Sequence, residues 1–179
     1  MNSYAVFLRG INVGGINIKM ADLKAALEAA GFAGVRTLLA SGNVVLASDL
    51  DTAEVKVRCE KCLRDSFGYE AWVVVLTAAR VAELVAACPY PEDNKSTHTY
   101  ITLGSDKARL DELDAAGAAL ENSEQQRLGP EALAWLAPAG GTLDSPFSKI
   151  SAKPKYKAST TTRNLRTMIK VRDAAAALS

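Results

Sequence analysis

The stretch Tyr4-Ala5-Val6-Phe7-Leu8-Arg9-Gly10-Ile11-Asn12-Val13-Gly14-Gly15 decides how the rest of the chain reads. Its apolar run, closed by Arg-Gly, predicts a buried strand. The glycines predict a strand-to-helix connection, because a residue without Cβ lets the backbone turn tightly. Beyond them Met20, Leu23, Leu27 and Ala30 recur at helical spacing, and Gly31 is placed to cap the helix C-terminus. Residues 35–40 and 44–47 read as strands joined through Ser41-Gly42-Asn43, a tight hairpin signal because glycine and asparagine tolerate positive φ. Val55, Cys59, Cys62, Leu63, Ser66 and Phe67 share one helix face that ends at Gly68. Residues 70–76 then predict a strand with Trp72, Val74 and Leu76 on one side. The order β-α-β-β-α-β is that of a ferredoxin-like split βαβ unit.

The second half repeats the pattern less perfectly. Thr77 is placed to cap a short helix carrying Val81, Leu84, Val85 and Cys88, which Pro89-Tyr90-Pro91 stops. Residues 98–103 predict a strand, Leu110, Leu113 and Leu120 a helix, and residues 125–128 and 132–137 a hairpin through Gly129-Pro130. A final helix over 162–178 faces Leu165, Met168, Ile169 and Leu178 inward. We therefore expect an α+β fold of duplicated ferredoxin-like (βαββαβ-type) subdomains with a C-terminal helix. Residues 1–77 form the first subdomain, 78–97 a connecting helix and loop, and 98–179 a second, imperfect βαββα subdomain whose last helix is basic. Between Pro138 and Thr161 lies a long segment with a short helical turn expected after Pro146. Connections of that length are usually functional or mobile.

With 179 residues, 49% hydrophobic and 23% charged, the chain can bury a sizeable core. Its net charge of +1 sets up no global field towards nucleic acid or membrane, so any such pull is local. No apolar run approaches the roughly 18–20 residues that cross a bilayer. The N-terminal residues lack a basic n-region and a small-residue cleavage site, and are expected to form the first strand rather than a signal peptide. Three cysteines do not make a disulfide framework, which points to the cytoplasm.

Several chemistries are excluded. Cys59 and Cys62 fall mid-helix on the apolar face, with no second pair and one histidine in the chain, so they read as core rather than as zinc or redox ligands. His98 opens a strand beside Tyr100 and reads as a partly exposed strand residue. There is no Gly-x-Ser-x-Gly elbow, Gly-x-Gly-x-x-Gly fingerprint or Gly-Lys-Ser/Thr loop, and no pair of carboxylates placed for hydrolysis. We expect no metal and no cofactor. Enzymatic activity and oligomeric state stay open.

The topology places the 9–19 loop and the Ser41-Gly42-Asn43 turn at the same end of the first sheet, with their parent strands one strand apart, about 10 Å. Gly14 and Gly15 would let backbone N–H groups approach an anion at the helix start. Arg9 and Lys19 would add charge, and Asn12, Ser41 and Asn43 directional hydrogen bonds. From Lys149 to Arg172 the chain carries Lys149, Lys153, Lys155, Lys157, Arg163, Arg166, Lys170 and Arg172 without an acid. Part of this tract opens the last helix, where Arg163, Asn164 and Thr167 would complete a site for a phosphorylated or carboxylated small molecule. Two alternatives are nucleic-acid binding through the 149–172 tract and a scaffold or oligomerisation role with no small ligand. The aromatic consensus of an RNA-recognition strand is missing.

Five segments carry a resemblance: Leu8-Arg-Gly-Ile-Asn-Val-Gly-Gly15, Lys19-Met-Ala-Asp-Leu23, Val35-Arg-Thr37, Ser41-Gly-Asn-Val-Val45 and Thr162-Arg-Asn-Leu-Arg-Thr167. Together they resemble the uncharacterised bacterial family catalogued as domain of unknown function 1697, over essentially the whole chain. The resemblance implies a compact α+β protein of two related subdomains, and no activity, substrate or cofactor. Family members typically carry tryptophan after the Arg-Asn of the last segment and a more aromatic, polar run before the hairpin. Here those positions are Leu165 and Leu38-Leu39-Ala40.

Overall fold

The computed structural model describes residues 1–9, 16–39, 41–68 and 70–178. They divide into two units, Met1–Ala82 with Lys170–Ser179, and Glu83–Ile169. The first unit runs β1 (Asn2–Leu8), α1 (Met20–Ala29), β2 (Ala33–Leu38), β3 (Asn43–Ser48), α2 (Thr52–Phe67) and β4 (Val73–Thr77). Its strands form an antiparallel sheet in the order β2-β3-β1-β4, the arrangement expected of the β-α-β-β-α-β unit. Tyr4, Val6 and Leu8 of β1 pack with Leu23 and Leu27 of α1 and Val55, Cys59 and Leu63 of α2. Ala5, Phe7 and Val45 are buried as well, which is why β1 and β3 read as unbroken apolar runs instead of alternating.

Local chemistry sets the helix ends. Gly31 takes φ +93° after α1, and its N–H donates to Glu28 O at 3.0 Å. Gly68 takes φ +66° after α2, the left-handed conformation that favours glycine. Cys59 and Cys62 lie on the buried side of α2, and burial pushes the Cys59 thiol up to about 12. Both behave as small core hydrophobes. β4 starts one residue after Trp72, later than the alternation predicts. A further helix, α3 (Ala78–Ala87), follows, with Thr77 Oγ1 accepting from Arg80 N at 3.1 Å.

The second unit holds β5 (Thr97–Gly104), α4 (Lys107–Ala118), β6 (Gln125–Gly129) and β7 (Ala132–Pro138). A 3-10 turn (Thr142–Asp144), α5 (Pro146–Ser151), α6 (Pro154–Lys157) and β8 (Thr160–Asn164) complete it. Its sheet order, β6-β7-β5-β8, repeats that of the first, so the duplication extends to a fourth strand. Leu110 and Leu113 of α4, Leu133 and Trp135 of β7, Phe147 of α5 and Tyr156 of α6 form its core.

The last helix departs from expectation at its start. Residues 160–164 form the edge strand β8, and α7 spans Leu165–Ala176. Thr161 and Thr162 suit a strand as well as a cap, and pairing with Leu103 and Thr102 of β5 decides between the two. The cap is Asn164, whose Oδ1 accepts from Arg166 N at 2.8 Å.

Candidate functional site

The end of the first sheet is assembled by register. Phe7 pairs with Asn43 and with Val74, and Leu8 pairs with Val73, so β1, the β2–β3 hairpin and the start of β4 finish together. The hairpin lies closer to β1 than the one-strand gap expected. β3 is the direct neighbour of β1, and Leu8 N donates to Gly42 O at 2.8 Å. Gly42 has φ +83° and Leu39 φ +61°, an unusual backbone for an exposed leucine. Asn43 is wholly buried, and its Nδ2 donates to Leu38 O and to Ser41 Oγ, both at 2.9 Å. Asn43 therefore braces the turn, while Ser41 is exposed at its tip. Lys19 occupies the N-cap position of α1, exposed and without a side-chain cap on the helix amides. Asn12, Gly14 and Gly15 lie outside the described residues.

Arg9 follows directly from Leu8. Its guanidinium carbon sits 5.3 Å from the centre of the Trp72 ring, within cation–π range. The residue is partly buried, and desolvation lowers its pKa. Among the described residues no carboxylate pairs with it. Lys56 Nζ lies 5.8 Å from the same ring, yet it is bonded to Glu60 and donates to Val73 O at 2.6 Å. Glu60 Oε1 in turn accepts from Val73 N at 3.2 Å, so this pair stitches α2 to the start of β4. Among the described residues the buried Trp72 indole N–H has no acceptor. Reading Trp72 as one more apolar strand residue misses all of this. Its place just before β4 is set by pairing across the sheet, which local alternation does not report.

The other predicted residues belong to the second unit. Arg163 is 6% exposed, with Nη1 donating to Thr161 Oγ1 at 2.6 Å and to Thr162 O at 3.1 Å. Burial lowers its pKa to about 10, so it stays cationic at neutral pH. Asn164 Nδ2 donates to Asp93 Oδ2 at 2.7 Å, and Asp93 Oδ1 accepts from Thr99 N at 3.1 Å. Thr167 lies in the first turn of α7, partly buried. The basic tract is partly neutralised: Lys155 pairs with Glu112 at 3.5 Å, Arg166 with Asp93 at 3.6 Å and Arg172 with Asp173 at 2.9 Å. His98 stands beside Tyr100, with Nδ1 3.5 Å from the phenol oxygen. Among the described residues no helix is long and apolar enough to cross a membrane.

Comparison with known proteins gives one family and one fold. The family model described as "Protein of unknown function (DUF1697)" matches residues 1–133. A solved structure described as "The structure of conserved bacterial protein SP0830 from Streptococcus pneumoniae" superposes with a TM-score of 0.79. It is 22% identical, with 97% of this chain and 98% of that chain covered, which establishes the shared fold. No curated protein matches.

Proposed function

The chain belongs to the DUF1697 family of proteins of unknown function, and from that premise we propose that it binds a small anionic molecule at the Arg9 end of its first sheet. The ligand class is a phosphorylated or carboxylated metabolite, met in the cytoplasm. Three unbridged cysteines suit that compartment. One observation carries the reading: Arg9 is a partly buried cation, seated on Trp72, with no carboxylate partner among the described residues. Desolvating a charge is costly unless an opposite charge arrives. An anion would supply it, and guanidinium geometry suits the two oxygens of a phosphate or carboxylate.

In this reading Arg9, Lys19 and Ser41 contact the ligand, and Asn43 holds the hairpin in place. Arg163 and Asn164 are left out of the contact set, because their polar atoms hold β8 and the start of α7. A thermal-shift screen against inorganic phosphate, pyrophosphate, sugar phosphates and dicarboxylates tests the reading. A true ligand at one hundred times its dissociation constant adds about 2.7 kcal/mol of stability. The Arg9→Ala variant should lose that gain with its circular dichroism unchanged. Hits of undiminished size in Arg9→Ala would place the site elsewhere.

A further inference from the structure

The two units differ at one equivalent junction. In the first, β3 reaches α2 through residues 49–51, and Asp51 closes the helix start. Its Oδ1 accepts from Glu54 N at 2.8 Å, and Glu54 Oε2 accepts from Asp51 N at 3.1 Å. In the second, the chain takes a longer path from β7 to α5 through residues 139–145, including the 3-10 turn. Beside that path is a cavity of about 390 Å³, within the range that accepts small molecules. Leu136, Pro138, Pro146 and Phe147 make its apolar lining, and Glu121 and Asp144 bring carboxylates to it.

Charge and shape point to one class of occupant. Among the described residues no lysine or arginine lines the cavity. Neither Glu121 nor Asp144 pairs with a cation among the described residues. Phe147 is backed by Trp135 at 4.9 Å between ring centres, and Trp135 by Tyr100 at 4.7 Å, so the aromatic wall is held by the core. Apolar surface with an aromatic ring and unneutralised carboxylates is the chemistry that recognises an organic cation. We propose that this cavity binds a small amine or quaternary ammonium compound through an apolar body, with its charge facing Glu121 and Asp144. The apolar body packs against Leu136 and Phe147. An anion of the same shape is repelled.

Isothermal titration of the full chain with 2-phenylethylamine, the neutral 2-phenylethanol and the anionic 3-phenylpropionate tests this. The amine should bind at least ten-fold tighter than the alcohol, and the carboxylate should not bind. The double variant Glu121→Gln/Asp144→Asn should weaken the amine at least ten-fold while leaving the alcohol unchanged. A second variant addresses the cavity itself. A Cβ on Gly141, which lines the cavity, meets nothing within 4 Å, so Gly141→Leu has room to fold and should exclude the amine. Equal affinity for amine and alcohol, amine binding indifferent to either variant, or no amine binding would each overturn the proposal. None of these changes touches Arg9, so the result is independent of the anion site.

Discussion

Arg9 is costly to hold, being partly buried and without a carboxylate partner among the described residues. Removing it should lose a cation–π contact of about 0.5–1 kcal/mol and recover part of its desolvation cost. Arg9→Ala is therefore expected to change stability by less than about 1 kcal/mol in urea unfolding, while anion binding disappears. A loss of about 3 kcal/mol would mean that Arg9 is scaffolding. Asn43 is the contrast, because its amide is spent inside the hairpin. Asn43→Ala should cost about 1–3 kcal/mol by leaving buried polar groups unpaired. Cys59 makes a pH prediction. Its folded pKa, about 12, lies above the ordinary thiol value. The stabilisation is thus complete below the unfolded pKa of about 8.5 and is lost as pH rises towards the folded value, at about 1.4 kcal/mol per unit. Denaturant unfolding between pH 8 and 11 should show that decline, and Cys59→Ala should flatten it. An identical slope in the variant would refute the assignment.

At the scale of elements, α4 and β6 are joined through a glycine. Gln125 Nε2 donates to Asp114 O at 2.6 Å and to Asp114 Oδ1 at 2.9 Å, directly over Gly117. A Cβ there would fall 1.9 Å from Gln125 Oε1. Gly117→Ala should therefore destabilise the protein, although alanine is favoured in helices by about 1 kcal/mol. Adding Gln125→Ala to that variant should cost less than Gln125→Ala does alone, a coupling that urea unfolding of all four proteins measures. Additive effects would show that the side chain simply moves aside. The same elements show what could be read locally. The apolar periodicity of α1 and α2 and the glycines that end them were legible, because those signals lie within a few residues of one another. β8 was not, since its threonines choose a strand only when β5 is present. The strand predicted from residue 70, with Trp72 on it, begins only at Val73 for a related reason: the start of β4 depends on its partner Leu8.

Across the whole molecule the duplicated topology was legible from element order, and it located the Arg9 loop and the hairpin at one end of a sheet. The surroundings of the Trp72 indole, the pairing state of each cation and the cavity beside the β7–α5 connection were not, since each depends on residues far apart in sequence. Charge behaves likewise. Net charge is +1, and three cations of the 149–172 tract face carboxylates. Short single-stranded RNA should accordingly bind weakly in fluorescence anisotropy, with a shallow salt dependence. A log–log slope steeper than about −3, equivalent to four or more phosphate contacts, would restore the tract as a nucleic-acid surface. The proposed anion site has a more direct reporter. The chain has two tryptophans, and Trp135 Nε1 is already bonded to Thr102 Oγ1 at 3.0 Å, whereas the Trp72 indole N–H has no acceptor among the described residues. A ¹⁵N NMR titration with pyrophosphate should shift the Trp72 indole resonance and leave that of Trp135 in place. A Trp72 resonance that stays still while pyrophosphate binds, or with no binding at any concentration, would contradict the account.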